Sequence, residues 1–245
     1  MKAFRFGRAA GPAFLGNTVQ SWSMWRNKKL FARGKTPPND IGPRSTPNYR
    51  SLVEQAPPDE IPHQIRRHVL DVALAPDFFR SRRIYLAYAE RRDKQHSATT
   101  VGYGVLSSDL KRIDAFRPIF RQEPALSTGQ HYGVRMAFDP GGRDLYIALG
   151  ENNQPATAQQ LDHLQGKVVR IRPDGMVPRD NPFRSLRGAR AEIWSYGHRN
   201  PQGMAWNPWT NELWVAEHGP QGGDELNRIQ SGANYGWPLR TEGQG

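Results

Sequence analysis

The sequence predicts an all-β protein built as a β-propeller, and three observations carry that prediction. A hairpin pattern recurs three times: Val69-Leu-Asp-Val-Ala-Leu-Ala-Pro-Asp with Ile84-Tyr-Leu-Ala-Tyr, Gly133-Val-Arg-Met-Ala-Phe-Asp-Pro-Gly with Leu145-Tyr-Ile-Ala-Leu-Gly, and Gln202-Gly-Met-Ala-Trp-Asn-Pro-Trp with Leu213-Trp-Val-Ala-Glu. Each copy places Ala three residues before Pro (Ala73/Pro76, Ala137/Pro140, Ala205/Pro208) and follows the turn with alternating aromatic and aliphatic residues. Such a pattern reads as a strand with one small residue in a crowded layer, a tight turn, and a returning strand. The recurring alanines stand at positions 73, 137 and 205. That spacing exceeds the roughly 40–50 residues of simple blade repeats and suits four-stranded blades with insertions. Finally, 24 glycines and 20 prolines in 245 residues favour turns over long helices. Hairpins that recur without intervening helices fit radial repetition. A β-sandwich is the alternative, but it does not predict a recurring Ala-x-x-Pro.

Between the repeats the chain supplies further strands. Residues 102–106 alternate and end in the Ser107-Ser-Asp turn, and residues 113–120 lead into Gln122-Glu-Pro. Lys167-Val-Val-Arg-Ile-Arg alternates aliphatic and basic side chains before the turn signal Pro173-Asp-Gly. The one helical candidate, residues 156–164, is short.

Charge divides the chain in two. Formal net charge is +11, from 34 Lys and Arg against 23 Asp and Glu. Residues 1–68 hold 12 of the basic and 4 of the acidic residues, a net of +8, and 8 of the prolines. That leaves only +3 for residues 69–245. The basic, Pro-rich head shows no sustained period of 2 or 3.6, and it is expected to be disordered or aberrant. Residues 1–8 are basic like a secretory leader, yet the apolar stretch after them is broken by Gly11 and Pro12. No run approaches 18 apolar residues, so no membrane-spanning helix is expected. The absence of cysteine excludes disulfides, thiolate zinc sites and cysteine nucleophiles.

Residues able to do chemistry gather where strands meet loops: Gly129-Gln-His-Tyr-Gly, Tyr196-Gly-His-Arg-Asn-Pro-Gln-Gly, Glu217-His-Gly-Pro-Gln-Gly-Gly-Asp-Glu-Leu-Asn, and Gly232-Ala-Asn-Tyr-Gly-Trp-Pro. Loops at one end of a propeller converge on its axis, so these clusters could share a site. Singly, each also has a structural reading. His131 could be a hydrogen-bonded scaffold residue, Arg199 and Asn200 could cap a turn before Pro201, and Gly219-Pro220 could simply be a turn. Asp224 and Glu225 could be a solvated pair. No His pair at helical spacing, phosphate loop or nucleophile elbow is present, and Gly219 to Gly223 open no dinucleotide-binding strand–helix unit.

In combination these motifs closely resemble the soluble, pyrroloquinoline quinone (PQQ)-dependent aldose sugar dehydrogenases of the glucose/sorbosone dehydrogenase family. Leu164-Gln-Gly-Lys-Val-Val-Arg-Ile-Arg-Pro-Asp-Gly and Pro178-Arg-Asp-Asn-Pro-Phe belong to the same resemblance, which runs in the family's order from about residue 69 to residue 243. It implies a six-bladed β-propeller, of which this chain would form about four blades, holding PQQ over a calcium ion. His131 matches the general base that takes the anomeric proton of an aldose while hydride passes to the quinone. Imidazole titrates close to working pH, which suits that task. Gln130, Arg199 and Asn200 match cofactor-contacting positions. Gly219 and Pro220 match the positions whose carbonyls hold the catalytic calcium, and calcium prefers hard oxygen ligands. Glu225 and Tyr235 match a second, structural calcium site, the tyrosine through its main-chain oxygen. The resemblance further implies a periplasmic protein that passes electrons to an unidentified acceptor.

The sequence also departs from the family. Where members carry a Gly-Gln-Gly-Gly-Leu-Leu-like stretch, it reads Gln64-Ile-Arg-Arg-His-Val-Leu. Residues 1–68 match nothing recognised in the family, and the chain stops at Gly245, short of the basic residues that later blades supply. A truncated or frame-shifted gene product is therefore expected. Two other functions compete with the enzyme: a propeller that binds without turnover, and nucleic-acid binding through the basic head. The latter lacks aromatic interleaving on a strand platform, so no nucleic-acid partner is expected.

Overall fold

The computed structural model describes residues 69–127, 129–241 and 243, so the expectations for residues 1–68 lie outside the described residues. Three antiparallel sheets account for this part of the chain. The first comprises β1 (Val69–Leu74), β2 (Arg83–Arg91), β3 (Ser97–Leu106) and β4 (Ile113–Arg121), in that order. The second comprises β5 (Gly133–Phe138), β6 (Leu145–Leu149), β7 (Lys167–Ile171) and β8 (Ile193–Tyr196), again in chain order. The third comprises β9 (Pro201–Trp206), β10 (Leu213–Glu217) and β11 (Glu225–Arg228). One four-residue helix, α1 (Phe78–Ser81), lies between β1 and β2.

The repeated hairpins are β1–β2, β5–β6 and β9–β10. Their register explains the recurring alanine. Ala73 pairs with Tyr85, Ala137 with Tyr146, and Ala205 with Trp214. A methyl group opposite a ring leaves that ring room on the shared face, which is what a cross-strand aromatic needs.

The first strands of the three sheets lie side by side, with β5 packed against both β1 and β9. Asp71 of β1 reinforces this contact by accepting the Met136 amide of β5 at 2.7 Å. The sheets fan outward from these strands and stack face to face, as propeller blades do. Strand β6 is buried throughout, and its period-2 alternation splits between neighbours. Leu145, Ile147 and Leu149 pack towards the first sheet with Tyr85, Ala87, Val101 and Phe120. Tyr146 and Ala148 pack towards the third with Met204, Leu213 and Val215. Burying each of these large side chains contributes about 1.5–3 kcal/mol.

The partial propeller that the sequence predicts is present, and the described residues form three of the expected blades. Each blade with its loops takes up the long interval that separates Ala73 from Ala137 and Ala137 from Ala205. The helical candidate region differs from expectation, since only Pro155–Gln159 forms helix there, a single 3₁₀ turn. Thr157 O accepts both the Gln160 amide at 3.1 Å and the Lys167 ammonium at 2.9 Å, while Ala158 O accepts from Lys167 at 3.1 Å and from the Gly197 amide at 3.0 Å instead of a following helical amide. Lys167 is fully buried, and Gln165 O accepts its third proton at 2.6 Å. Burial pushes its pKa down to about 7, with the Asp162 charge pulling the other way. Among the described residues, no helix is long and apolar enough to cross a membrane.

Candidate active site

Antiparallel pairing brings three kinds of loop to one end of the blades. These are the segment before β5, the segment after β6, and the segments on either side of the β9–β10 hairpin. The site forms there. His131 stands two residues before β5 with φ at 47°, a left-handed backbone unusual for a side chain of this size. Backbone contact fixes it. A Cβ on Gly150 would collide with the His131 carbonyl oxygen, and the Asn152 amide donates to that oxygen at 3.1 Å. The imidazole Nδ1 donates to Glu151 Oε1 at 2.8 Å, since a carboxylate can only accept. Glu151 is buried (1% side-chain exposure), whereas the His131 side chain is 21% exposed. The other ring nitrogen, Nε2, is thereby left as an acceptor able to receive a proton.

Glu151 connects this pair to the third blade. Its amide donates to Arg199 O at 2.9 Å, and the His218 amide donates to Asn200 O at 3.1 Å. Arg199 reaches back with Nη1 to His218 O at 3.0 Å and sits 5.2 Å over the Trp237 ring. A continuous hydrogen-bonded path therefore runs from His131 through Glu151, Arg199 and Asn200 to the residue preceding Gly219.

Beneath Arg199 lies a second histidine–carboxylate pair. His198 is fully buried, with Nε2 2.9 Å from Ser195 Oγ and Nδ1 2.9 Å from Glu217 Oε1. Glu217 also accepts the Arg199 amide at 2.7 Å and Asn227 Nδ2 at 2.9 Å. Burial works to raise the Glu217 pKa. The His198 charge and these three hydrogen bonds outweigh it, and the group is held below the ordinary carboxylate value.

The remaining sequence candidates lie on the same end. Gln130 is exposed, and its carbonyl lies 3.5 Å from Asn152 Nδ2. Asn200 Oδ1 accepts from Gln202 Nε2 at 3.0 Å. The Gly219 amide donates to Asp224 Oδ1 at 3.0 Å, so the exposed Asp224 also braces its own loop. Pro220 and Gly222 turn their carbonyls towards Gly243, where a Cβ would collide with the Pro220 oxygen. Glu225 Oε2 accepts from Asn227 Nδ2 at 2.9 Å. The Tyr235 ring stacks on His198 at 4.6 Å and 23°. Among the described residues no cluster of three or more His, Asp or Glu could hold a metal, so a cation at this loop would rest largely on carbonyl oxygens.

Glu151 lies outside the motifs visible in the sequence, and His198, Glu217 and Asn227 lie inside them with no role marked by the sequence alone. A signal was available in the repeat itself: His131 and His198 each precede a first strand, Glu217 ends the strand that returns beside it, and Glu151 lies two residues past the end of its own returning strand. Among the described residues, the buried polar atoms Arg199 Nε, Asn152 Oδ1 and Trp237 Nε1 at this end have no hydrogen-bond partner. Buried polar groups are nearly always paired, so such orphans mark a surface shaped for something polar.

Comparison with known proteins agrees with this architecture. The Glucose / Sorbosone dehydrogenase family model matches residues 49–245, beginning upstream of β1. The Escherichia coli aldose sugar dehydrogenase YliI is 62% identical over 175 residues, covering 71% of this chain and 47% of that protein. The crystal structure of the soluble E. coli aldose sugar dehydrogenase in its apo-form superposes with a TM-score of 0.69, covering 71% of this chain and 50% of the other. The PQQ-bound aldose sugar dehydrogenase from Streptomyces coelicolor is 32% identical with a TM-score of 0.61, covering 72% and 49%. The chain thus spans about half the length of the relatives it matches. With a family model covering most of its length, and blades that superpose on those of sugar dehydrogenases, the chain belongs to the glucose/sorbosone dehydrogenase family.

Proposed function

We propose that this chain carries the catalytic-base portion of an aldose dehydrogenase that oxidises the anomeric hydroxyl to a lactone with PQQ and calcium. The observation that carries the reading is the His131–Glu151 pair. Its buried carboxylate fixes one ring nitrogen as donor, and the partly exposed opposite nitrogen is free to accept. His131 Nε2 would take the anomeric hydroxyl proton, and Glu151 would stabilise the imidazolium so formed. The orphaned Nε of Arg199 suits an anionic carboxylate, and the Pro220 and Gly222 carbonyls suit a hard cation. The residues present therefore fit the pair of groups that the resemblance implies. Arg199, Asn200 and Gln130 would hold the quinone, Gly219 and Pro220 the catalytic cation, and Glu225 with the Tyr235 carbonyl a second one. When bound, PQQ would accept hydride, and the cation would polarise it as a Lewis acid. A periplasmic location belongs to the same reading.

A second reading, a module that binds without turnover, is favoured by the sequence Gln64-Ile-Arg-Arg-His-Val-Leu where the family has its glutamine motif. One experiment separates the two. The purified chain is supplied with PQQ and calcium, and aldose-dependent reduction of an artificial electron acceptor is followed. Turnover that falls roughly 10²–10⁴-fold in His131→Ala supports the dehydrogenase. Cofactor binding without turnover supports the second reading, and a folded chain that does neither defeats both.

A further inference from the structure

The buried Glu217 has a position that the proposed chemistry leaves unused. Glu217 lies at the end of β10 and is 6% exposed, yet its carboxylate bonds both the 198–199 segment and β11. Towards one side it accepts the Arg199 amide at 2.7 Å and the His198 ring at 2.9 Å. Towards the other it shares Asn227 Nδ2 with Glu225, both at 2.9 Å. His198 in turn is sandwiched between Ser195 and the stacked Tyr235 ring. Glu217 thus stands between the Arg199–Asn200 segment and the Glu225–Tyr235 pair, and two residues along the chain from Gly219.

A buried carboxylate is costly unless its oxygens are satisfied, and here the satisfaction comes from loops instead of the strand ladder. An apolar residue there would leave the His198, Arg199 and Asn227 donors unpaired, so the carboxylate serves the loops it holds. We propose that Glu217 is a positioning residue that couples the candidate Glu225–Tyr235 cation site to the quinone-holding segment of Arg199 and Asn200. Through Asn227 it reads the state of the Glu225–Tyr235 pair, and through His198 and the Arg199 amide it sets the segment bearing Arg199 and Asn200. The coupling of cation site to quinone segment rests on the proposed function. The clamp itself rests on the hydrogen bonds alone.

The test uses the full chain and two probes, calcium alone and then calcium with PQQ. Amide hydrogen exchange and ¹H–¹⁵N spectra are recorded for wild type, Glu217→Gln and Asn227→Ala. An amide donating to a carboxylate at this distance resonates downfield. The Arg199 signal should move upfield in Glu217→Gln, and its exchange should rise roughly 10- to 100-fold. Amides of β9 and β10 away from the clamp should keep wild-type protection. Asn227→Ala, which spares the His198 and Arg199 bonds, should show the same change several-fold weaker, and it keeps the test open if Glu217→Gln fails to fold. Calcium should slow exchange at both 197–200 and 225–236 in wild type, but no longer at 197–200 in either variant. Unchanged Arg199 exchange in the variants overturns the clamp. Calcium protection of 197–200 that survives in both variants overturns the coupling. If calcium has no effect on wild type, the calcium reading fails and the coupling with it, while the ligand-free comparison still decides the clamp.

Discussion

At the scale of single residues, the two histidines show how burial separates roles that the sequence leaves alike. Each donates Nδ1 to a glutamate, at 2.8 Å for His131 and 2.9 Å for His198. His198 then meets Ser195 and the Tyr235 ring and is sealed, whereas His131 keeps one nitrogen towards the open end of the blades. Glu151 should matter accordingly. Glu151→Gln keeps the shape but offers the ring a weaker acceptor or the wrong partner. Turnover by the PQQ-loaded chain should drop roughly 10²-fold or more while the apparent affinity for PQQ stays near wild type. A variant with full turnover would remove Glu151 from the mechanism. The His131 motif was legible in the sequence as a family resemblance. Its partner was not, because only the β5–β6 return closes the stretch of chain between His131 and Glu151.

At the scale of elements, strand ends carry the charged groups that tie each blade to its loops. Glu90 near the end of β2 accepts from Arg121 of β4 at 3.0 Å and Thr100 of β3 at 2.7 Å, with Arg92 3.1 Å away. Burial works to raise its pKa, but the Arg121 and Thr100 hydrogen bonds and the Arg92 charge prevail and lower it from 4.5. A carboxylate lowered in the folded state contributes stability that is fully present above its unfolded value. That contribution is lost as pH falls below about 4.5 and through the lowered folded value. Glu90→Gln should therefore cost roughly 1 kcal/mol at neutral pH and flatten the acid limb of stability, as read by urea unfolding from pH 7 to pH 3. An acid limb as steep as that of wild type would show that Glu90 is not among its causes. The strands themselves were readable because a period of 2 is local. The failed helix was not, since nothing near residue 157 announces that Lys167 and Gly197, further along the chain, bond the carbonyls there.

For the whole molecule, cohesion comes from blades that bury both faces. Ile147 is fully buried in the middle of β6, in the layer between the first and second sheets. Ile147→Ala should destabilise the chain by about 2–5 kcal/mol in chemical denaturation, because neighbouring sheets cannot close over the cavity. Val105→Ala on β3, 38% exposed, is the matched control and should change stability by less than about 1 kcal/mol. Equal effects would mean that the inter-blade layer is not what holds the sheets together.

The sequence by itself determined the blade hairpins, their turns and the order of the motifs, since alternation, proline turns and short signatures are properties of neighbouring residues. It also marked the change of character at residue 69 through charge. The tertiary structure decided which side chains meet. Antiparallel returns and the packing of β5 against β9 bring residues 131, 151, 199 and 218 into one hydrogen-bonded path. Only that assembly makes one histidine an accessible base and the other a buried support, because the difference lies in what covers each ring and not in the residues beside it in sequence.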